Sequence, residues 1–323
     1  MEQAMEQVLG ALRAAAEPTR LRLLALLTRS ELTVTELTQI LGQSQPRISR
    51  HLKLMCEAGL IDRFREGTWA FYRLAENEKY ARMGRVLVAL IPDDDETLAR
   101  DIERLETIKK ARAEAASTYF RANAEDWDRI RSLHVPEADV EKAILGVIGD
   151  GEFGELLDIG TGTGRMLELF APKMSRGIGV DLSREMLAVA RANLDRQKVA
   201  NAQVRQSDMY NLSLSSGSMD VVLFHQVLHF ADNPGAAVAE AERVLKPGGR
   251  MVIVDFAPHE LEFLRTDHAH RRLGFSDDEV VRWCQATGLR AKPARHLEGK
   301  DLTVTIWLAE KVSPADDLAG AAQ

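Results

Sequence analysis

The sequence predicts an α/β chain of two domains, and three observations carry that expectation. Short apolar runs at 155–159, 176–181, 202–206, 220–224, 249–256 and 302–310 alternate with helical patterns, as in a parallel sheet. The first run ends in Gly160-Thr161-Gly162-Thr163-Gly164, followed by a helical pattern at Met166, Leu167, Leu169 and Phe170. Bare backbone at such a turn lets a ligand approach a helix N-terminus closely. Residues 1–90 differ in kind, holding short helical patterns and one hairpin.

With 323 residues the chain is long enough for two domains, each with its own core. Its 45% hydrophobic and 28% charged content is that of an ordinary globular protein, and no apolar run approaches the ~20 residues that span a bilayer. Glu2 and Glu6 interrupt the basic-then-apolar order of a signal peptide. Cys56 and Cys284 are far apart, which argues against a disulfide framework or a cysteine-rich metal site. The expectation is a cytoplasmic protein with no membrane partner and no bound metal. A net charge of −7 conceals an asymmetry, since residues 1–90 carry 13 Lys/Arg against 10 Asp/Glu and the remainder 29 against 39. Nucleic acid is therefore an admissible partner for the N-terminal part alone.

Within that part, Thr33-Val34-Thr35-Glu36 reads as a capping box opening a short helix that stops at Gly42. Ser44 is placed to cap a second helix, with Pro46 in its first turn and Ile48, Leu52 and Met55 as its buried stripe. Ser44, Gln45, Arg47, Ser49, Arg50 and Lys53 are left facing out, and Gly59 closes the helix. Two helices, a tight turn and a basic, amide-bearing second face describe a helix-turn-helix. A hairpin follows, Ile61 to Arg65 and Trp69 to Leu74 around Glu66-Gly67, whose Arg63, Arg65 and Arg73 suit phosphate contacts.

Pro92 and Asp93-Asp94-Asp95-Glu96 end this domain (residues 1–92) and favour a helix start. The connecting helix, 93–116, sets Leu98, Ile102, Leu105 and Ile108 along one stripe that needs a partner. The α/β domain spans 117–312, and 313–323 read as a frayed tail.

In the α/β domain, chemistry-bearing residues gather at the carboxyl ends of the strands. Asp181, after Gly179-Val180, is an acid placed for a ribose diol, and Asp208-Met209 pairs an acid and an apolar neighbour suited to adenine. The fourth run leads into Phe224-His225-Gln226-Val227-Leu228-His229, and Lys246-Pro247-Gly248-Gly249 precedes the fifth. The glycine order G-x-G-x-G differs from the dinucleotide order G-x-G-x-x-G.

Residues 5–90 resemble the arsenic-repressor (ArsR/SmtB) family of winged-helix regulators, through Glu17-Pro18-Thr19-Arg20-Leu21-Arg22-Leu23-Leu24, the stretch Ser44 to Met55 and Ala58-Gly59-Leu60-Ile61. The resemblance implies a symmetric dimer on a double-stranded DNA operator. Where metal-sensing members carry two cysteines, this chain reads Glu31-Leu32-Thr33-Val34-Thr35-Glu36-Leu37, so the thiolates a soft metal needs are missing.

Residues 117–312 resemble the class I S-adenosylmethionine (SAM)-dependent methyltransferases, in the small-molecule branch that includes the ubiquinone and arsenite enzymes. The resemblance implies a Rossmann-like seven-stranded domain binding SAM or S-adenosylhomocysteine (SAH). By position, Asp158, Gly160, Thr161, Gly162 and Gly164 would hold the methionine portion and Asp181 the ribose. Leu182 and Met186 would face the adenine, Asp208 and Met209 would meet its edge, and His225 with Gln226 would close the site near the sulfonium. Tyr119-Phe120 and Trp127-Asp128-Arg129-Ile130 read either as a cofactor lid or as a cap on the sheet. Candidates for a catalytic base are His225, His229, His268 and His270, although the last two would diverge on a helix.

Two functions suit these features. One is a transcriptional regulator, a repressor, whose SAM- or SAH-binding domain tunes operator affinity. The other is a small-molecule methyltransferase with an autoregulatory DNA-binding domain.

Overall fold

A computed structural model describes residues 2–66, 69–75, 77–123 and 136–313. Its contacts divide the chain into two compact units, Met1–Glu114 and Ala115–Gln323. The division falls inside one helix, so the first part of the predicted connecting helix belongs with the N-terminal unit.

The N-terminal unit comprises α1 (Glu2–Ala15), α2 (Pro18–Leu27), β1 (Leu32–Thr33), α3 (Val34–Leu41), α4 (Gln45–Glu57), β2 (Ile61–Glu66), β3 (Trp69–Leu74), α5 (Glu78–Ala89) and the start of α6 (Glu96–Asn123). The capping box forms in full: Thr33 Oγ1 accepts from Glu36 N at 3.3 Å, while Thr33 N donates to Glu36 Oε2 at 2.8 Å. Gly42, at φ +63°, ends α3 in the left-handed region that a side chain resists. Ser44 does hold the N-cap position of α4, but its hydroxyl makes no capping bond. Leu32 and Thr33 also pair with Tyr72 and Phe71, adding a short third strand beside the predicted hairpin, in the order β1-β3-β2.

Leu23, Leu26, Leu37, Ile40, Ile48, Leu52 and Leu60 form one apolar core, which Leu105 of α6 completes. Polar clamps fix α6 there as well. Arg22 of α2 donates through Nε and Nη2 to the two carboxylate oxygens of Asp101, at 2.5 and 2.7 Å, and Arg104 Nη1 donates to Ile40 O at 2.8 Å. Of the predicted stripe, Leu105 and Ile108 thus find their partner inside the N-terminal unit. The helix runs to Asn123, beyond its predicted end, and its start is capped by Asp95, whose Oδ1 accepts from Leu98 N at 2.7 Å.

The second unit contains α7 (Glu137–Ile148), β4 (Phe153–Ile159), α8 (Arg165–Phe170), β5 (Met174–Asp181), α9 (Arg184–Arg196), β6 (Ala202–Gln206), β7 (Met219–His225), α10 (Pro234–Val244), β8 (Leu245–Phe256), α11 (Phe263–His268), α12 (Asp277–Ala286), β9 (Leu289–Ala291), β10 (Arg295–Glu298) and β11 (Thr303–Lys311). The strands order as β10-β11-β8-β7-β4-β5-β6; the pairs from β6 to β8 are parallel and β11 is antiparallel. β9 and β10 pair with opposite ends of β11, on either side of Pro293. They make one interrupted edge strand, which reconciles the eight segments with the seven strands expected.

Both faces of this sheet are buried, which explains why its strands read as unbroken apolar runs. Leu157, Ile159, Val222, Phe224, Met251 and Ile253 enter one core, and Leu156, Val221, Leu223, Val252 and Val254 enter the other. β4 lies between β5 and β7, so the chain winds outward in one direction from β4 and then returns to wind in the other. That reversal opens a crevice at the carboxyl ends of β4 and β7, where open α/β sheets take ligands. Among the described residues no helix is long and apolar enough to cross a membrane.

Candidate functional site

The glycine turn occupies this crevice. Gly160, Gly162 and Gly164 adopt φ of +71°, +52° and +82°, conformations that only glycine enters without strain. A Cβ on Gly160 would lie 2.3 Å from Val227 Cγ2, so the turn and the segment after β7 meet at a distance only glycine permits. Behind the turn, buried Asp158 accepts through Oδ2 from Thr161 Oγ1 at 2.6 Å. Arg165, first residue of α8, donates to both carboxylate oxygens of Glu141 at 2.6 and 2.8 Å and clamps the new helix to α7.

Asp181 ties the two strand ends together. Its Oδ2 accepts from Gly162 N and its Oδ1 from Ser183 N, each at 2.9 Å. A carboxylate offers about four acceptor sites, so it can take a hydroxyl beside its backbone donors Gly162, Ser183 and Leu182. Burial raises its pKa, outweighing the opposing hydrogen bonds from Ser183 and Gly162. Beside it Leu182 is exposed while Met186 is buried, so Leu182 presents the apolar surface at this end of the site. Asp208 Oδ1 accepts from Tyr210 N at 3.0 Å, and Met209 packs against the core. Tyr210 carries no motif in the sequence; its hydroxyl accepts from Asn233 N at 3.0 Å and ties this loop to the start of α10.

At the end of β7, His225 and Gln226 are both buried, and Gln226 takes φ +51°, a strained conformation for a side-chain-bearing residue. His225 Nε2 lies 3.7 Å from Glu137 Oε1, a carboxylate with no motif to announce it. Of the four candidate bases, His229 and His270 come together. α11 ends at His268, which packs edge-on against Phe263, and the chain then turns at Ala269 (φ +56°). His270 instead stacks on His229 with ring centroids 4.0 Å apart. His229 Nδ1 sits 2.7 Å from Asp255 Oδ1, and its backbone N donates to Asp255 Oδ2 at 3.2 Å. Asp255 lies one residue before the end of β8 and is fully buried. The side chains of Tyr119 and Phe120, and all of Trp127-Asp128-Arg129-Ile130, lie outside the described residues. No group of three or more His, Cys, Asp or Glu able to hold a metal ion occurs among the described residues.

In the N-terminal unit, Ser44, Gln45, Arg47, Ser49, Arg50 and Lys53 are all exposed on α4, and Arg63 and Arg65 are exposed on β2. Arg73 stands apart from that set. The register pairs Arg63 with Tyr72 and Arg65 with Ala70, whereas Arg73 pairs with Asp62 on the opposite face. There its guanidinium lies 4.6 Å over the Phe64 ring and 3.5 Å from Glu31.

Comparison with known proteins fits this division. Residues 17–63 match the family model described as bacterial regulatory protein, arsR family, and residues 157–253 match the methyltransferase domain model. The chain joins an arsR-family helix-turn-helix to a methyltransferase domain. The methyltransferase domain is 32% identical over 157 residues to an arsenite methyltransferase of Aquipseudomonas alcaligenes, covering 39% of this chain and 45% of that one. Over 106 residues the chain is 34% identical to the methyltransferase YcgJ of Bacillus subtilis, covering 32% of this chain and 42% of the other. It thus spans less than half the length of these relatives. A chain from the complex of the Haloferax volcanii Trm112 methyltransferase activator with a methyltransferase shares the fold, at a TM-score of 0.50 and 20% identity, covering 60% of this chain and 97% of that one.

Proposed function

We propose that this chain is a DNA-binding transcriptional regulator, a repressor, whose methyltransferase domain binds SAM or SAH and thereby tunes operator binding. The observation that carries the proposal is a complete glycine-turn site in the same chain as an outward-facing basic helix. The residues fit the group. The turn holds three glycines at positive φ, Asp181 has lone pairs for ribose hydroxyls, and Leu182 offers an apolar face to a base. A metal signal is disfavoured at the site of the family's cysteines, where Thr33 is already committed to capping α3.

Linkage requires a ligand to interact differently with the DNA-competent and DNA-incompetent arrangements. The route offered is α6, one unbroken helix that leaves the DNA-binding unit, where Asp101 and Arg104 clamp it, and continues past Glu114. A homodimer suits the exposed apolar residues Met5, Leu9 and Leu12 on α1 and Val86 with Leu90 in and after α5.

Arsenite methylation does not suit this chain. Burial pushes the Cys284 thiol up to about 11 and raises that of half-buried Cys56, and the two belong to separate units. A small-molecule methyltransferase with autoregulatory DNA binding is a second reading, favoured by the buried pair His229–Asp255.

An operator fragment selected from genomic DNA by the purified protein, then titrated with SAM and with SAH, tests the regulator. Affinity unchanged by both ligands overturns it. Asp181→Ala should remove the response and spare ligand-free DNA binding.

A further inference from the structure

Residues 1–114 contain a single histidine, His51 in the middle of α4; the other seven stand at position 134 and beyond. Burial raises the Cys56 thiol, so near neutral pH the imidazole is the side chain of this unit placed to change charge. Its ring is largely buried. Nδ1 lies 3.7 Å from Glu17 Oε2 and makes no hydrogen bond among the described residues. Glu17 is the N-cap of α2, where its Oε2 accepts from Arg20 N at 2.9 Å. Thr19, in the first turn of α2, accepts through Oγ1 from Gln43 Nε2 at 3.3 Å, and Gln43 lies in the turn between α3 and α4. The start of α2 is thus already tied to the turn before α4, and His51 faces it from the helix itself.

We propose that His51 is a proton switch on the DNA-facing helix: protonated, it pairs with Glu17, fixes α4 against the start of α2 and strengthens operator binding. The inference rests on DNA binding, one half of the function proposed above, and adds a second input to it.

The charged groups acting on the ring are Glu17 and Arg20 of α2 and Arg47 and Arg50 of its own helix. The other elements packed on α4 bring apolar residues to the shared core: Ala11 and Ala15 from α1, Leu37 and Ile40 from α3, and Ile61 from β2. Burial lowers the proton affinity of the imidazole and the three arginines add to that, so together they outweigh Glu17 and hold its pKa below the usual 6.5. Burial would raise Glu17 as well, but the bond from Arg20 N, the Thr19 hydroxyl and the nearby positive charge prevail, and Glu17 titrates below its usual 4.5. In the free chain at neutral pH, a neutral ring therefore faces an anion.

DNA changes that balance. Arg47 and Arg50, two of the groups that oppose the proton, are exposed in the set proposed to meet DNA. Phosphates that neutralise them remove the opposition, so the operator raises the proton affinity of His51, and by linkage the proton raises operator affinity equally. The protonated ring also closes the 3.7 Å separation into a charge-assisted hydrogen bond, joining the middle of α4 to the cap of α2. A helix fixed before it meets DNA loses less freedom on binding. Both effects have one sign. With the bound-state pKa above the free one, the gain is complete below the free value and is lost as pH rises through the bound value.

The test uses the full chain and the operator fragment selected as above, at constant ionic strength. Fluorescence anisotropy gives operator affinity between about pH 5.5 and 8, and NMR follows the titration of His51 with and without the operator. His51 should titrate below 6.5 in the free chain and higher on the operator, with affinity rising on acidification by about tenfold per protomer for each unit of that difference. His51→Gln should bind at every pH as the wild type does at pH 8, roughly the neutral-ring limit. Glu17→Gln should lower the His51 pKa further and shrink the rise. Wild-type affinity that stays level across the range, or an equal rise in His51→Gln, overturns the switch and leaves the regulator standing. A chain that binds no operator at any pH overturns both. The same His51 pKa with and without the operator also refutes the switch, and that comparison needs no variant to fold.

Discussion

Gly160→Ala separates two costs at the glycine turn. The first is conformational: at φ +71° a Cβ crowds its own carbonyl, a cost of roughly 1 kcal/mol. The second is steric. The added carbon would lie 2.3 Å from Val227 Cγ2 and 2.8 Å from its Cβ, so the valine or the turn must move. Forced repacking of this kind costs about 1–3 kcal/mol, for a total near 2–4 kcal/mol. Gly217 supplies the control, since its φ of +63° carries the first cost while nothing lies within 4 Å of an added Cβ. Gly217→Ala should therefore lose only about 1 kcal/mol. Adding Val227→Ala to Gly160→Ala should recover the part of the steric cost that comes from the valine methyl groups and leave the part that comes from its Cβ, a coupling that a double-mutant cycle of urea unfolding curves measures. Calorimetry on the same variants should show SAM affinity lost with Gly160→Ala and unchanged with Gly217→Ala. Equal destabilisation by Gly160→Ala and Gly217→Ala, with no coupling to Val227, would refute the close approach on which the site rests.

Three further perturbations follow from the same geometry. Asp101→Ala should destabilise the DNA-binding unit by about 2–3 kcal/mol, since it strands the largely buried Arg22 guanidinium; Glu96→Ala, at the exposed pair with Arg100, should change denaturant midpoints little, and equal effects would dismiss the clamp. Arg63→Ala and Arg65→Ala should each flatten the slope of log affinity against log salt by roughly 0.9, whereas Arg73→Ala should leave it unchanged, and a flattened slope for Arg73→Ala would restore that residue to the DNA face. Asp181 titrates above its ordinary 3.8 when folded, so the folded protein holds that proton longer and its contribution to stability falls as pH rises from 3.8 through the raised value; the unfolding free energy of wild type minus Asp181→Asn should decline across that window, and a rising difference would reverse the assignment.

How much of this was legible in the sequence depended on whether the signal was local. The capping box at Thr33 and Glu36, the exposed row on α4 and the strand-end acids Asp158, Asp181 and Asp208 are each set by a few neighbouring residues. Periodicity or turn chemistry exposes them. Arg73 stands apart from the other basic residues for a reason equally physical. Its face depends on the register of a hairpin, and a single step of register moves a side chain to the opposite face. Met186 is similar, since its apolar character suited an adenine face but its place in the first turn of α9 buries it.

The partners that complete the second unit's site were out of reach because they are distant in sequence. Glu137 faces His225 across 88 positions, and Asp255 reaches His229 across 26. Asp255 was hidden further by sitting in an apolar strand run, Met251 to Phe256, where one acid among hydrophobic residues resembles a tolerated interruption. In a strand buried on both faces no such tolerance exists, because there is no solvent side for a charge to occupy. A carboxylate in a doubly buried strand must therefore have a partner, and at the carboxyl end of a parallel sheet that partner faces the ligand crevice. Applied to the sequence alone, this rule singles out Asp255 from its run and identifies the neighbouring strand's end, where His225 and His229 stand, as the place to look.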